Sequence, residues 1–133
     1  MKKADPISTE IIRNAFISIA QDMNAVLIRS AYTPVIYEGK DCVVALLDEK
    51  GEVLGQSSGL PLFLGNLQVC VQETAKMYGW DYFKEGDIFF VNDSFFTGTH
   101  LNDITIFAPI FWNGKLAGFS ASRAHWLDVG GKD

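Results

Sequence analysis

Asn113-Gly114 stands between two apolar runs, Ile104 to Phe111 and Leu116 to Ala121. Asn-Gly readily supplies the two left-handed residues of a two-residue hairpin turn, and it is the strongest short-range signal of its kind. The two runs are therefore expected to pair as antiparallel strands. That expectation constrains the chain more than any other, because whatever precedes Ile104 must then lie beside whatever follows Ala121. Pro109, which has no amide to donate, predicts an edge position or a bulge within the first run.

The rest of the chain reads as helices and hairpins around this unit. Asp5-Pro6 is an N-cap followed by a proline suited to the first helical position. Ile12, Phe16, Ile19, Met23, Val26 and Leu27 follow at three- and four-residue steps, with Ile11, Ala15 and Ala20 widening the stripe. This helix is expected to run to about Ala31, because Pro34 disfavours helical geometry at Thr33. Cys42 to Leu47, the turn chemistry of Asp48 to Gly51, and Val53-Leu54 predict a second hairpin. Ser57 to Pro61 reads as loop. A second helix is expected from about Gly65 to Tyr78, with Leu67, Cys70, Val71, Ala75 and Tyr78 on one face and Gly79 ending it. Ile88 to Val91 predicts a buried strand after the turn Glu85-Gly86-Asp87. Asn92 to Asn102 and the stretch from Ser122 onward read as polar, glycine-containing loops. The sum is an α+β fold: a long N-terminal helix and a second helix packed on a mostly antiparallel sheet built from hairpins.

At 133 residues the chain fits one domain, residues 1–133. Hydrophobic residues make up 48% of it, enough either for a dense core or for surface buried against another chain. A net charge of −5 leaves no basic stripe to neutralise phosphates, so no nucleic-acid partner is expected. No apolar run reaches the roughly 18 residues of a membrane span. The two lysines after Met1 have no apolar stretch behind them, so no secretory signal is expected. Cys42 and Cys70 form no C-x-x-C pair and read as reduced, buried thiols. The expected compartment is the cytoplasm.

His100 and His125 are the only two histidines. Each is followed at the third position by an aspartate, giving His100-Leu101-Asn102-Asp103 and His125-Trp126-Leu127-Asp128. The first segment ends where one hairpin strand begins, and the second starts just after the partner strand ends. Antiparallel pairing therefore brings all four side chains to the end of the hairpin opposite its turn. Two imidazoles and one or two carboxylates suit a divalent first-row metal and leave positions for water or substrate. Histidines simply hydrogen-bonded to the neighbouring aspartates remain the other reading of the residues alone.

Other segments carry weaker signals. Asn92-Asp93 follows a strand, where loops often carry function, and reads equally as an Asn-Asp turn. Thr97-Gly98-Thr99 lacks the pattern of a phosphate-binding loop. Arg123 can clamp a substrate carboxylate or pair with one of the chain's acidic residues. No G-x-S-x-G elbow is present for serine catalysis.

Asp5-Pro6-Ile7, Asn92-Asp93, the segment Gly98-Thr99-His100-Leu101-Asn102-Asp103, and Ser122-Arg123-Ala124-His125 through Asp128-Val129-Gly130-Gly131 together resemble the hydantoinase B/oxoprolinase family. That family includes the B subunits of ATP-dependent hydantoinases, half of 5-oxoprolinase, and the large subunits of acetone and acetophenone carboxylases. The resemblance covers essentially the whole chain. It implies a divalent metal ion (manganese, zinc or iron) held by His100, Asp103 and His125. It implies catalytic roles for Asp128 and Asp93, with Asp128 supporting the ligands or serving as a fourth. It also implies ATP bound by a separate hydantoinase A-like subunit that activates a small-molecule substrate.

The implied reaction is hydrolysis of a cyclic amide or, in the carboxylase branch, carboxylation of a ketone. A non-catalytic assembly subunit that keeps the fold is the alternative of another class. Two positions depart from the commoner pattern. Ser94 stands where many members have proline, and Trp126 stands where many have a second histidine, which tilts the resemblance towards the carboxylases. Family members are several times longer, so the resemblance implies the N-terminal segment of a larger subunit, inactive without the remainder.

Overall fold

Asp5 caps the first helix as its side chain predicts, with its carboxylate accepting from the Ser8 amide at 3.0 Å. The computed structural model describes residues 5–59, 63, 65–95 and 97–131. Helix α1 spans Pro6–Ser30. The proline at position 34 ends α1 as expected, but it also starts a second, one-turn helix. Thr33 and Pro34 act as N-cap and first residue of α2 (Pro34–Tyr37), the Thr33 hydroxyl accepting from the Val35 amide.

The first hairpin is β1 (Cys42–Asp48) and β2 (Val53–Gln56). Its turn is held by the Asp48 carboxylate, which accepts from the Lys50 and Glu52 amides at 2.9 and 2.8 Å. Helix α3 spans Asn66–Tyr78, and a single 3-10 turn follows at Trp80–Tyr82. The expected Ser57–Pro61 loop falls partly on residues outside the described set. Next come β3 (Phe89–Val91), β4 (Asp103–Trp112) and β5 (Lys115–His125). Asn113 and Gly114 both take positive φ, 50° and 72°, as the tight turn between β4 and β5 requires.

The five strands form one antiparallel sheet in the order β2-β1-β5-β4-β3. Side chains alternate between its faces. One face carries Val43, Ala45, Leu47, Phe107, Phe119 and Ala121, which pack with Leu67, Cys70, Val71 and Ala75 of α3 and with Phe83 into the main core. On the other face α1 crosses β1 and β2. Gly55 permits that crossing, since a Cβ there would lie 2.7 Å from the Phe16 backbone. A smaller cluster, Ile36, Cys42 and Ala124, joins α2 to the same face. The architecture is thus α+β, with helices on both faces of an antiparallel sheet. Among the described residues no helix is long and apolar enough to cross a membrane. Both cysteines are buried and unpaired.

Three expectations need correction, and the one at Pro109 is met in a local form. Ser122 to His125 is strand rather than loop, because β5 is the central strand: Cys42 pairs with Ala124 and Val43 with Arg123 on one side, and β4 lies on the other. Residues that look polar in sequence are buried there by neighbours on both edges. The run Ile88–Val91 is not a buried strand. It shortens to an edge strand that pairs only with β4, and Ile88 and Phe90 stay exposed. Tyr78 leaves the core face of α3 and stacks on Tyr82 with ring centres 4.8 Å apart. Pro109 lies within an interior strand, but past the end of β3, so the missing amide costs no ladder bond on that side. The bulge sits nearby, between Ile110 and Phe111.

The apolar load divides unevenly between the layers. Phe63, Phe83, Phe107 and Phe119 are buried under α3, whereas α1 buries only Ala20 fully and leaves Ile7, Ile11, Ile12 and Val26 more than half exposed.

Candidate metal centre

The hairpin delivers its two ends to one place. Asp103 and His125 are directly opposed, the last register pair of β4 and β5. Both side chains fall on the α3 face, two residues along from the pair Thr105 and Arg123. His125 Nδ1 lies 2.9 Å from Asp103 Oδ1. The other carboxylate oxygen accepts from the His100 amide at 2.9 Å and from the Thr99 hydroxyl. His100 Nδ1 stands 3.7 Å from that same oxygen. The two imidazole rings meet edge to face with centres 5.6 Å apart.

Three different supports produce this arrangement. Asp103 is fixed by the strand and is only 1% exposed. His125 is fixed by the central strand, where its amide donates to the Asp41 carbonyl at 3.0 Å. His100 comes from the 92–102 loop, and its side chain is 65% exposed. Asn102 closes the hairpin mouth. Its carbonyl accepts from the Trp126 amide at 2.8 Å, and its side-chain amide donates to the Trp126 carbonyl at 2.7 Å.

The electrostatics follow from these contacts. Burial pushes the Asp103 carboxyl up, but hydrogen bonds from the Thr99 hydroxyl, the His100 amide and His125, together with the Arg123 charge, outweigh it. The net effect holds Asp103 below the ordinary carboxylate value, ionised. Asp41 behaves oppositely. Burial holds its carboxyl above the ordinary value and Asp103 pushes it the same way, against the opposing pull of His125 and His100. Its Oδ1 is buried with no hydrogen-bond partner among the described residues. A buried carboxylate oxygen without a partner, in the field of two imidazoles and a second carboxylate, is compatible with a cation-binding place. Cys70, beneath Arg123, is pushed up to about 12 by burial and stays a thiol.

His100, Asp103 and His125 each offer a donor atom, all within 4.8 Å of one another. Two donors bonded to one ion at about 2.1 Å lie about 3.4 Å apart in a tetrahedral site, so the widest pair would close by somewhat more than an ångström on binding. Two nitrogens and a carboxylate match a divalent first-row ion.

Asp93 and Asp128 lie outside this group. The Asp93 carboxylate accepts from the Phe95 amide at 2.8 Å and shapes its loop. Asp128 is exposed and accepts from the Gly130 amide at 2.8 Å. Arg123 has no carboxylate within ion-pair distance among the described residues. It is buried, donating to the carbonyls of Thr97 and Gly98. Asp41 is the residue that sequence reading misses. Its proximity depends on β1 pairing with β5, a contact between distant segments with no turn to announce it. A recess of about 500 Å³, lined by Leu27, Ile36, Ile104, Ala124 and Trp126 among others, lies on the α1 side of the sheet. Alternation along β4 and β5 puts it on the face opposite the metal group, so the two are neighbouring features rather than one cavity.

Known proteins resemble this chain throughout its length. The profile of the family described as Hydantoinase B/oxoprolinase matches residues 5–133. The 5-oxoprolinase of Saccharomyces cerevisiae is 36% identical over 96% of this chain and 10% of its own length. A protein of Pseudomonas jessenii named caprolactamase subunit beta is 29% identical over 98% of this chain and 22% of its own. The structure of that organism's ATP-dependent caprolactamase superposes with a TM-score of 0.79 at 27% identity, covering 98% of this chain and 22% of that one. The nucleotide-free structure of an acetone carboxylase, from work on ATP-dependent acetone carboxylation, superposes with a TM-score of 0.83 at 25% identity, covering 95% of this chain and 17% of that one. The chain thus spans a quarter or less of the length of the curated relatives it matches.

Proposed function

This chain belongs to the hydantoinase B/oxoprolinase family, and from that premise we propose that it is the metal-binding segment of an ATP-dependent enzyme that hydrolyses a cyclic amide. The observation that carries the proposal is the meeting of His100, Asp103 and His125 at the hairpin mouth, with donor atoms within 4.8 Å of one another. On this reading residues 1–133 are one domain, the N-terminal segment of a larger subunit. The remainder of that subunit completes the site. A hydantoinase A-like partner binds ATP and activates the substrate. Relatives named 5-oxoprolinase and caprolactamase, both named for cyclic amides, support the substrate class. The word subunit in the second name supports a partner. The proposed compartment is the cytoplasm.

A divalent ion on His100, Asp103 and His125 supplies Lewis acidity at the amide carbonyl and lowers the pKa of water. The chain's own residues do the rest. Asp103 stays ionised because Thr99, the His100 amide, His125 and Arg123 all favour its charge. Its Oδ1 fixes the orientation of the His125 ring through Nδ1, 2.9 Å away. Exposed His100 forms the open side, where substrate enters. Asp128 and Asp93, on the flanking loops, are the proposed carboxylates that hold or move a proton.

The test is the His100→Ala substitution in the chain assembled with its partner subunit. Bound metal, measured by elemental analysis, and ATP-dependent ring opening of a lactam should both fall. Unchanged metal content and turnover would sink the reading in favour of a non-catalytic assembly subunit. A second reading, part of a ketone carboxylase, is favoured by Trp126, which replaces a further imidazole beside His125. It predicts a new carboxylate on a ketone carbon in place of a ring-opened amino acid, and product analysis separates the two.

A further inference from the structure

Arg123 is the largest fully buried side chain among the described residues. It lies two residues before His125 on β5, on the same face of the sheet. One terminal nitrogen donates to the Thr97 carbonyl at 2.7 Å and the other to the Gly98 carbonyl at 2.7 Å. Its guanidinium carbon sits 5.5 Å from the centre of the Phe63 ring. No carboxylate lies within ion-pair distance of it among the described residues, and its Nε has no hydrogen-bond partner there.

Burying a cation with no carboxylate in direct contact is costly even with the longer-range pull of Asp103, and an apolar side chain could fill the same volume without that cost. The guanidinium does one thing that an apolar residue or a lysine cannot. Its planar fork spans two successive carbonyls and fixes the direction of the chain between them. The chain so fixed runs directly into Thr99 and His100. His100 is otherwise tied to the group by its own amide on the Asp103 carboxylate, by its carbonyl accepting from the Asp103 amide at 3.1 Å, and by the Thr99 hydroxyl beside it.

We propose that Arg123 is a positioning residue for the metal group: by holding the carbonyls of Thr97 and Gly98 it sets the course of the loop that delivers His100 to Asp103 and His125. This rests on the metal-binding reading above. It makes β5 responsible for both imidazoles, His125 through its own backbone and His100 through the arginine fork.

The experiment is a titration of cobalt(II) into wild type, Arg123→Lys, His100→Ala and the double variant, followed by calorimetry and by visible absorption of the bound ion. Urea melts of the four proteins run alongside. Arg123→Lys should weaken binding by about ten- to a hundredfold, as loss of a group that orients a ligand does. In the His100→Ala background the same substitution should cost nothing further. Equal losses in both backgrounds, or no loss in either, would overturn the proposal, because a residue that merely stabilises the fold acts without regard to His100.

Failure of the wild-type chain to bind cobalt sinks the metal reading itself, and this is distinct from binding that ignores Arg123. Should Arg123→Lys not fold, Arg123→Ala with millimolar guanidinium ion decides. Restored affinity supports the fork, and absence of rescue overturns it. If neither variant folds, Arg123 is a folding residue and the proposal is lost.

Discussion

The two H-x-x-D segments are alike in sequence and unlike in structure. His100 to Asp103 closes on itself, the His100 amide donating to the Asp103 carboxylate. His125 to Asp128 opens out. His125 turns to Asp103 across the hairpin, while Asp128 binds the Gly130 amide and stays exposed. One aspartate therefore serves both histidines and the other serves neither. The difference teaches that the motif is not the working unit. The register pair Asp103 and His125 is, and the loop bearing His100 is brought to it.

The sharpest way to break this asymmetry is Asp103→Ala. It strips the acceptor from Thr99, the His100 amide and His125 in a buried position, so unfolding free energy should fall by about 3 kcal/mol and metal uptake should vanish. A denaturant melt and a metal titration check both. A loss below about 1 kcal/mol would show that Asp103 is not the hub. Acid makes the same cut reversibly. The folded-state pKa of Asp103 lies below its ordinary value, so its contribution is present above the ordinary carboxylate range and is lost as pH falls through the depressed value. Acid unfolding of wild type should contain a component absent from Asp103→Asn.

The histidines should then separate. His125→Ala and His100→Ala should each weaken metal binding by roughly a hundredfold. Only His125→Ala should also destabilise the metal-free chain, by about 1 kcal/mol, because only that ring makes a partly buried hydrogen bond to Asp103. Equal stabilities of the two variants would erase the distinction between strand-borne and loop-borne ligand.

The smallest effect is expected at Asp128→Ala. Stability should shift by about 0.5 kcal/mol or less, with metal affinity unchanged. Turnover of the assembled enzyme should fall if Asp128 carries a proton. A large loss of metal affinity there would restore the symmetry of the two segments and make Asp128 a ligand.

Much of the fold is legible because it is local. Asp5 with Pro6 announces α1, Asp48 to Gly51 announces the first hairpin, and Asn113-Gly114 announces the second, each through hydrogen bonds or φ values set within a few residues. The three candidate donors are legible for the same reason, since a tight turn makes two distant segments neighbours by geometry alone. Most of the misses are questions of what lies beside a strand. Ser122 to His125 is read as loop because nothing local reveals that β1 pairs with it. Ile88 is read as buried because its own run is apolar, while its exposure follows from β3 ending the sheet. Asp41 goes unnoticed because it lies just before β1, some eighty residues before His125, and Arg123 is misread because its partners are backbone carbonyls that carry no residue signature.

For the two H-x-x-D segments the division is plain. The amino-acid sequence by itself determined that they meet, because an Asn-Gly turn between two β-forming runs admits one antiparallel pairing. Only the tertiary structure decided which aspartate is buried, which imidazole is rigid and which arm is held by an arginine. Those outcomes depend on β5 lying between β1 and β4 and on α3 closing one face of the sheet. Burial and long-range pairing are properties of the packed whole, and no short segment contains them.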